Sequence, residues 1–262
     1  MEYVNIIQKI IQVIKAFFWK NSDVIYIHSN KKVFDHNLID EKQSTKKSKW
    51  IINESNTHKI GFKFTKLNFR KGQIALYQIT RNLKYKPKIS YGGYVSVPLA
   101  AYDGSCLGDT RNYFLYDTMS GKKHAKRIEF NPSRNTSVRF GVDSTFKEVN
   151  LIVSSSFLVN SNAVRDGTMP TFRIDQLLKG FADSKYLIKM HSLVYDFLDE
   201  CRFSGITKVH MYMSSRQAVS FAVGTAIQPH HSEVLIYEYE DARYTWNINV
   251  KKAKLEEEEL DA

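Results

Sequence analysis

The chain is poor in cysteine and lacks long apolar runs. Only Cys106 and Cys201 occur among its 262 residues, too few for the disulfide framework of a small secreted protein and without the spacing of a metal site. Within residues 1–20 lysines interrupt the apolar side chains, whereas a membrane span needs about 20 apolar residues in succession. These residues show neither the basic start nor the small-residue cleavage site of a signal peptide. We therefore expect a protein of the cytoplasm.

The motifs of nucleotide hydrolysis, dinucleotide binding and serine hydrolysis are also missing. The sequence contains no G-x-x-x-x-G-K-[ST] phosphate loop, no G-x-G-x-x-G turn and no G-x-S-x-G elbow. His230 and His231 are adjacent beside Pro229, and no cysteine or carboxylate stands at ligand spacing from them. The histidine pair therefore predicts a loop and not a metal site. We expect no catalytic residue, no metal and no cofactor.

Charge is distributed unevenly along the chain, whose formal net charge is +11. Residues 1–150 carry 26 Lys and Arg against 12 Asp and Glu, a net of +14, whereas residues 151–262 carry 12 against 15, a net of −3. A basic first half predicts an anionic partner, such as a nucleic acid, a nucleotide or a lipid surface. A merely solubilising surface is the alternative, and charge alone leaves both open.

Composition and periodicity divide the chain into four segments. Residues 1–57 are a helix with a basic accessory segment, residues 58–147 and 148–252 are two α/β halves, and residues 253–262 are a solvated acidic tail. The apolar residues near the start follow helical spacing, and we expect this amphipathic helix to dock on protein in preference to a membrane. Residues 23–28 predict a short strand, and the Lys-rich residues 40–49 predict a loop.

Strands and helices alternate in both halves. The first predicts a strand at 59–69, a helix at 73–85, a strand leading into a small-residue segment at 88–107, and a hairpin at 111–130. The second predicts strand, helix, strand, helix and two further strands at 148–159, 185–205, 208–213, 215–227, 233–240 and 243–250. Alternation of this kind indicates mostly parallel sheets in two Rossmann-like halves.

Three chain segments at strand ends form the candidate ligand site, because ligands of such folds bind beyond the carboxyl ends of the strands. They are Tyr91-Gly92-Gly93-Tyr94, Ser154-Ser155-Ser156 and Ser214-Ser215-Arg216-Gln217. Hydroxyl and backbone N–H groups at a helix start suit phosphate oxygens, an arginine adds a forked donor, and tyrosine rings offer faces on which bases stack. For each serine taken alone, a helix N-cap is the alternative.

The stretch "HMYMSSRQAVSFAVGTAIQP", followed by "VLIYEYE" and "YTW", resembles the end of SAVED domains (SMODS-associated and fused to various effector domains). Gly224, Gln228-Pro229, the "YEY" triplet and Trp246 occupy the family's positions. In the first half, "YGGYVSVPLAAYDGSCL" and "YFLYD" are similar to the family's Gly-x-x-Ile/Val-Pro segment and the strand after it. "EVNLIVSSSF" is similar to the strand that opens the second half, so the similarity covers about residues 58–252.

The resemblance implies two fused CARF-like Rossmannoid halves that bind a cyclic oligonucleotide messenger, of the cyclic tri- or tetra-adenylate type. Such sensors serve antiphage defence of the cyclic-oligonucleotide-based (CBASS) or type III CRISPR kind. A sensor of this family oligomerises on binding and acts on an effector, which we expect on a separate chain, and we expect no long nucleic acid as partner. A ring nuclease and a general nucleic-acid-binding protein are the alternatives.

The residues that we assign to the ligand come from the three strand ends and from lysines chosen by charge and proximity in sequence. They are Tyr91, Gly92, Gly93, Tyr94, Ser154, Ser155, Ser156, Ser214, Ser215, Arg216, Gln217, Lys86, Lys88 and Lys123.

Overall fold

The first of two sheets contains five strands. The computed structural model describes residues 23–29, 48–54, 62–81, 88–118, 125–164, 168–240 and 242–257. Within them the first sheet has the order β2-β1-β3-β4-β5, and its neighbours run parallel except for the antiparallel pair β4 and β5. The strands are β1 (Asp23–Ser29), β2 (Ser48–Glu54), β3 (Ile89–Tyr94), β4 (Tyr113–Asp117) and β5 (Lys126–Phe130).

In the described part of the chain the second sheet contains six strands, in the order β11-β10-β9-β8-β6-β7. The four strands from β9 to β7 are parallel, and β10 and β11 add to one side in antiparallel fashion. The strands are β6 (Glu148–Ser154), β7 (Thr171–Asp175), β8 (Lys208–Ser214), β9 (Glu233–Glu240), β10 (Arg243–Asn249) and β11 (Lys254–Glu257). In β8 every residue after Lys208 is buried, as expected for a parallel strand covered on both faces.

The helices lie between the sheets and join them into one core. Within the described residues these are α1 (Phe62–Arg81), α2 (Val97–Leu107), α3 (Ser184–Phe203) and α4 (Gln217–Thr225), besides a short 3-10 helix at Ser161–Ala163. Helix α2 follows β3 yet contacts β9 and β10, and α4 follows β8 yet contacts β3 and β4. Tyr91 and Leu115 of the first sheet therefore share a single apolar cluster with Leu151 and Met211 of the second.

The mostly parallel α/β architecture with two sheets confirms the prediction from the sequence, and so does the hairpin of β4 and β5. The strand predicted at 59–69 is wrong, because residues 62–81 form α1. Local alternation of apolar and basic residues suggested a strand, but Phe69, Leu76 and Ile79 recur at helical spacing and are buried in the core.

Both ends of the chain contribute more to the sheets than the sequence suggested. The predicted strand at 23–28 is β1, which lies inside the first sheet between β2 and β3. Ser48 and Lys49 belong to the Lys-rich segment 40–49 that was predicted as a loop, but they begin β2. Residues 254–257, expected in a solvated tail, form the edge strand β11, which buries Leu255 against the core.

The predicted amphipathic helix near the start lies outside the described residues. None of the helices in the described part of the chain has the length and apolar character needed to cross a bilayer.

Candidate ligand-binding site

Helices α2 and α4 cross in direct backbone contact, and this contact sets the two halves against each other. A Cβ added to Gly104 would overlap the carbonyl oxygen of Phe221, and one added to Gly224 would overlap that of Ala101. The two contacts are reciprocal, and each helix follows the corresponding strand of its own half. The crossing is therefore a close contact between the helix that follows β3 in the first half and the helix that follows β8 in the second.

An ion pair joins the carboxyl ends of the two sheets. Asp117, the last residue of β4, is fully buried, and its Oδ2 lies 3.2 Å from Nη2 of Arg216, which directly precedes α4. The same Nη2 donates to the carbonyl oxygen of Gly180 at 2.6 Å, and the N–H of Ala182 donates to Asp117 Oδ2 at 2.9 Å. Sequence analysis did not select Asp117, since a single Asp after a strand gives no signal that it faces an arginine 99 positions later.

The protonation of Asp117 depends on this arrangement. Burial raises the pKa of its carboxyl group, whereas the Ala182 N–H, the Arg216 guanidinium and the Lys126 ammonium act in the opposite direction. The contacts of Arg216 with Asp117 and Gly180 both use Nη2, and a guanidinium offers five N–H donors. Arg216 therefore holds Asp117 in place while other donors remain for an anion.

Most of the predicted serines close the loop after β6. Ser154 and Ser214 are register partners on β6 and β8. The Ser214 hydroxyl donates to the carbonyl oxygen of Phe157 at 2.5 Å and accepts from its N–H at 3.0 Å, and Ser154 Oγ accepts from the N–H of Val159. These two hydroxyls thus stabilise the backbone of a loop and do not cap a helix, since the N-cap position of α4 is Arg216.

Ser155 and Ser156 differ from their neighbours. The backbone N–H groups of both donate to the carbonyl oxygen of Ser214, and the Ser156 side chain is exposed. The Ser155 hydroxyl is buried and has no hydrogen-bond partner among the described residues. It lies beside the hydroxyl of Tyr186, whose pKa is raised chiefly by burial and is drawn back by Ser155 and by the charge of Arg216.

At the start of α4 the Ser215 hydroxyl makes a hydrogen bond, whereas the Gln217 amide makes none of normal geometry among the described residues. Ser215 Oγ lies 2.7 Å from Ser220 Oγ, within the first turn of the helix. Both amide atoms of Gln217 are buried, and neither makes a hydrogen bond of normal geometry within the described part of the chain. The Gln217 amide lies close enough to Tyr91 to lower the pKa of that hydroxyl, although burial dominates and raises it well above its usual range. An unpaired buried amide costs about 1–3 kcal/mol, so a ligand or water that paired it would stabilise the protein.

The Tyr91–Tyr94 segment at the end of β3 contributes mainly to packing. Tyr91 is only 1% exposed, its ring lies 4.3 Å from that of Phe221, and its hydroxyl donates to Asp103 Oδ2 at 2.7 Å. Gly92 is buried in β3, and a Cβ at Gly93 (φ 136°) would overlap the carbonyl oxygen of His28. Tyr94 is half-buried, so it retains accessible side-chain surface in this segment.

A buried polar cluster in the first half includes the hydroxyl of Tyr91. His28 Nδ1 lies 2.6 Å from Asp103 Oδ2, which also accepts from Tyr91, and both side chains are about 1% exposed. His28 belongs to β1, Tyr91 to β3 and Asp103 to α2, so the carboxylate joins three elements. Neither residue was predicted from the sequence, because His28 lies in the segment expected to be accessory and Asp103 lies in a small-residue stretch that gives no signal of its buried partners.

Of the three predicted lysines the structure describes Lys88, which does not lie at the site. Lys88 precedes β3 and therefore lies at the amino end of that strand, at the opposite end of β3 from Tyr94. Its ammonium lies 5.7 Å from the centre of the Phe114 ring. Proximity in sequence to the "YGGY" stretch was misleading here, because a strand of six residues separates its two ends by about 17 Å. Lys86 and Lys123 lie outside the described residues.

The adjacent histidines do have a carboxylate nearby. Asp199 of α3 has its Oδ1 3.6 Å from His230 Nε2 and 3.5 Å from His231 Nε2. The three ligand atoms lie within 4.8 Å of one another, as in a metal site. However, His231 Nδ1 accepts from the N–H of Gln228, so the neutral ring carries its proton on Nε2 and cannot present a lone pair there. Arg202 Nε also lies 3.4 Å from Asp199 Oδ1, which disfavours a cation, and we assign the cluster to electrostatic contact and not to a metal site.

The comparisons with known proteins agree with this fold. One solved structure that is similar is the Acinetobacter baumannii Cap4 SAVED/CARF-domain containing receptor with the cyclic trinucleotide 2′3′3′-cAAA (TM-score 0.56, 10% identity), which matches 93% of this chain and 55% of the receptor. Another is the same receptor with 3′3′3′-cAAA (TM-score 0.53, 10% identity), which matches 71% of this chain and 43% of the receptor. This chain thus matches only about half the length of those receptors. No curated protein matches it.

Family membership rests on the sequence itself. The sequence model of the SAVED family, described as the SMODS-associated and fused to various effectors sensor domain, matches residues 73–250. That range includes both crossing helices, all three predicted strand ends and the Arg216–Asp117 pair. It covers well over half of the chain, and the resemblance noted in the sequence is confirmed. The chain belongs to the SAVED family of sensor domains.

Proposed function

We propose that this protein is a sensor that binds a cyclic oligonucleotide, with three or four nucleotides, where the carboxyl ends of its two sheets meet. The observation that supports this most directly is the combination at that place of Arg216, whose two contacts use a single nitrogen, with the buried Ser155 hydroxyl and Gln217 amide, which make no hydrogen bond of normal geometry among the described residues. Phosphates require cationic and N–H donors, and base edges require amide or hydroxyl partners. The similar Cap4 receptors contain cyclic tri-adenylates, in keeping with a ring of this size.

The individual residues have distinct roles in this proposal. Arg216 contacts a phosphate with the donors that Asp117 and Gly180 leave free. The Gln217 amide and the Ser155 hydroxyl bind polar atoms of the ligand, and exposed Ser156 and half-buried Tyr94 line the opening. Tyr91, Gly92, Gly93, Ser154, Ser214 and Ser215 position these groups through the packing and hydrogen bonds described above.

The signal passes to an effector through a change in assembly. Arg216 connects the halves through Asp117, and an anion that draws on the same guanidinium alters that connection. Ligand binding at this point therefore changes how the two sheets are held, which gives the protein a route from binding to oligomerisation. Among the described residues of the site the polar groups are suited to binding phosphates and bases, and we propose a receptor.

Isothermal titration calorimetry tests the proposal. The wild-type chain is titrated with 3′3′3′-cAAA, 2′3′3′-cAAA and cyclic tetra-adenylate, and we expect saturable binding of one ring per chain for at least one of them. Gln217→Ala should weaken that binding at least tenfold, whereas Gln78→Ala, an exposed glutamine of α1, should leave it unchanged. Absence of binding with every ring would contradict the proposal.

Two further measurements separate the alternatives. Chromatography of the ring after incubation should recover it intact, and linear products would instead indicate a ring nuclease. Titration with a long single-stranded RNA should give weak binding. Tight RNA binding that falls steeply with salt would instead indicate a general nucleic-acid-binding protein.

A further inference from the structure

The outward face of α1 exposes an apolar stripe of three large side chains. Leu67, Ile74 and Tyr77 are 53%, 60% and 63% exposed. At 3.6 residues per turn they fall within an arc of about 80° of the helix circumference. Single exposed apolar residues are common on protein surfaces, but three on one helix face mark a contact surface.

Cations flank this apolar stripe on both sides. Helical geometry places Lys66 and Arg81 along one edge of the stripe, Lys71 along the other and Arg70 within it. All four side chains are exposed, and the sequence of α1 contains no acidic residue. The face therefore combines apolar surface with positive charge of one sign.

Protein carboxylates do not neutralise these four cations in the part of the chain that the structure describes. Cations elsewhere have partners, since Arg173 lies 2.8 Å from Asp175 and Lys252 lies 3.1 Å from Glu233. Among the described residues no ion pair includes a cation of α1. The charge of α1 is therefore available to an anionic partner, and it is part of the basic first half that the ligand site does not use.

The chain beside α1 does not add an excess of negative charge. The Gln73 side chain donates to the carbonyl oxygen of Ala253 at 3.0 Å, so residues 251–257 adjoin the helix. They carry three lysines against two glutamates, and Lys254 Nζ lies 2.9 Å from Glu256 Oε1. An anion that approaches α1 is not repelled at this edge.

From this arrangement we infer that the outward face of α1 is a docking surface for an anionic lipid bilayer, with the helix lying in the plane of the membrane surface. The apolar stripe enters the boundary between headgroups and acyl chains, and the flanking lysines and arginines reach lipid phosphates. Tyr77 suits that boundary, because its ring is apolar and its hydroxyl is polar. This contact requires no nucleotide and is independent of the function proposed above.

An anionic bilayer fits this face better than a nucleic acid or an acidic protein does. A phosphate backbone would be attracted by the same cations, but Leu67 and Ile74 stand among them and offer no ring on which a base could stack. An acidic protein would need carboxylates on both sides of its own apolar contact. A lipid surface supplies anions on every side of the stripe and an apolar layer beneath them.

Co-sedimentation of the full chain with vesicles, in the absence of nucleotide, tests the inference. We expect the wild type to sediment with vesicles of phosphatidylcholine mixed with phosphatidylglycerol and to stay in solution with phosphatidylcholine alone. Binding should weaken as NaCl is raised from about 0.05 M to about 0.5 M, because salt screens the attraction. Lys66→Gln with Arg70→Gln should weaken it about thirtyfold, since each cation near an anionic membrane strengthens binding about fivefold.

Matched controls separate this face from net charge and from general exposure. Lys147→Gln with Lys185→Gln removes the same charge at exposed positions elsewhere and should bind nearly as tightly as the wild type. Leu67→Ser with Ile74→Ser leaves the charge unchanged and should weaken binding at least tenfold, because the apolar stripe is lost. The control for that pair is Phe203→Ser, which removes a 75% exposed ring from α3 and should have no effect.

Circular dichroism of every variant confirms that it is folded before binding is compared. A wild-type chain that stays in solution with phosphatidylglycerol vesicles at low salt would overturn the inference, and so would equal weakening by the two charge-removing pairs. Unchanged binding in Leu67→Ser with Ile74→Ser would also overturn it, since charge alone would then hold the vesicle. Tighter binding to single-stranded RNA than to vesicles, lost in Lys66→Gln with Arg70→Gln, would overturn it in favour of a nucleic-acid surface.

Discussion

Gly224 of α4 lies against the carbonyl oxygen of Ala101 in α2 so closely that a β-carbon would overlap it. The reciprocal contact, between Gly104 and Phe221, has the same character. The crossing of α2 and α4 is the contact on which the arrangement of the halves depends, and it brings Arg216 to Asp117.

Gly224→Ala should destabilise the protein by about 3 kcal/mol, although alanine in a helix is normally about 1 kcal/mol better than glycine. The reversal follows because the new methyl group forces α2 and α4 apart. Urea unfolding followed by circular dichroism measures the change. Gly180→Ala is the control, since a Cβ there meets nothing within 4 Å. Equal stability of the two variants would show that the crossing tolerates a wider spacing.

Arg216→Ala should lower the free energy of unfolding by about 3–4 kcal/mol, because it leaves the buried carboxyl group of Asp117 without its cation. Adding Asp117→Asn to that variant should recover much of the loss, since a neutral amide needs no counter-charge and can still accept from Ala182. Chemical unfolding of the two single variants and the double variant forms a cycle that gives the coupling energy. Additive effects would contradict the ion pair.

Ser155→Ala and Ser214→Ala should separate ligand binding from stability. The Ser155 hydroxyl makes no hydrogen bond of normal geometry among the described residues, so its removal should leave the free energy of unfolding unchanged or slightly higher, while weakening binding of the ring that the wild type prefers. Ser214→Ala removes both contacts with Phe157 and should cost about 1–2 kcal/mol. The measurements are urea unfolding and calorimetric titration. Loss of stability in Ser155→Ala would assign that hydroxyl a structural role.

His231 should make the protein less stable in mild acid. Burial, with a further contribution from His230, lowers the pKa of His231 to about 4 from its ordinary value of 6.5. The folded state therefore binds fewer protons than the unfolded state between these values, so stability is lost as pH falls from 6.5 toward 4. At pH 5 the loss amounts to on the order of 2 kcal/mol.

Urea unfolding at pH 7 and pH 5 measures this loss in the wild type and in His231→Gln, whose side chain does not titrate. The variant is expected to lose less stability between the two pH values. His230→Gln, at an exposed position beside the same Asp199, should keep most of the pH dependence, because burial and not His230 is the larger cause of the lowered pKa of His231. A pH dependence that is the same in the wild type and in His231→Gln would show that His231 is not its source.

The sequence by itself determined the class of fold and the family. Buried runs such as "KVHMYMS" and the helical spacing over 185–205 reflect local periodicity, and the motifs from Gly224 to Trp246 lie close together in the chain. It also marked Ser155, Arg216 and Gln217 at strand ends, because the carboxyl end of a parallel strand is the usual ligand position. Such features need only neighbouring residues to be recognised.

Only the tertiary structure decided which partners these residues meet. Asp117, Asp103 and His28 give no local signal, because what makes them important is a contact across 75 or more positions of the chain. Lys88 shows the reverse, since it is near the "YGGY" stretch in sequence but at the far end of the strand in space. Periodicity depends on local backbone geometry and can be predicted from sequence, whereas the pairing of side chains between halves depends on how two helices cross at Gly104 and Gly224.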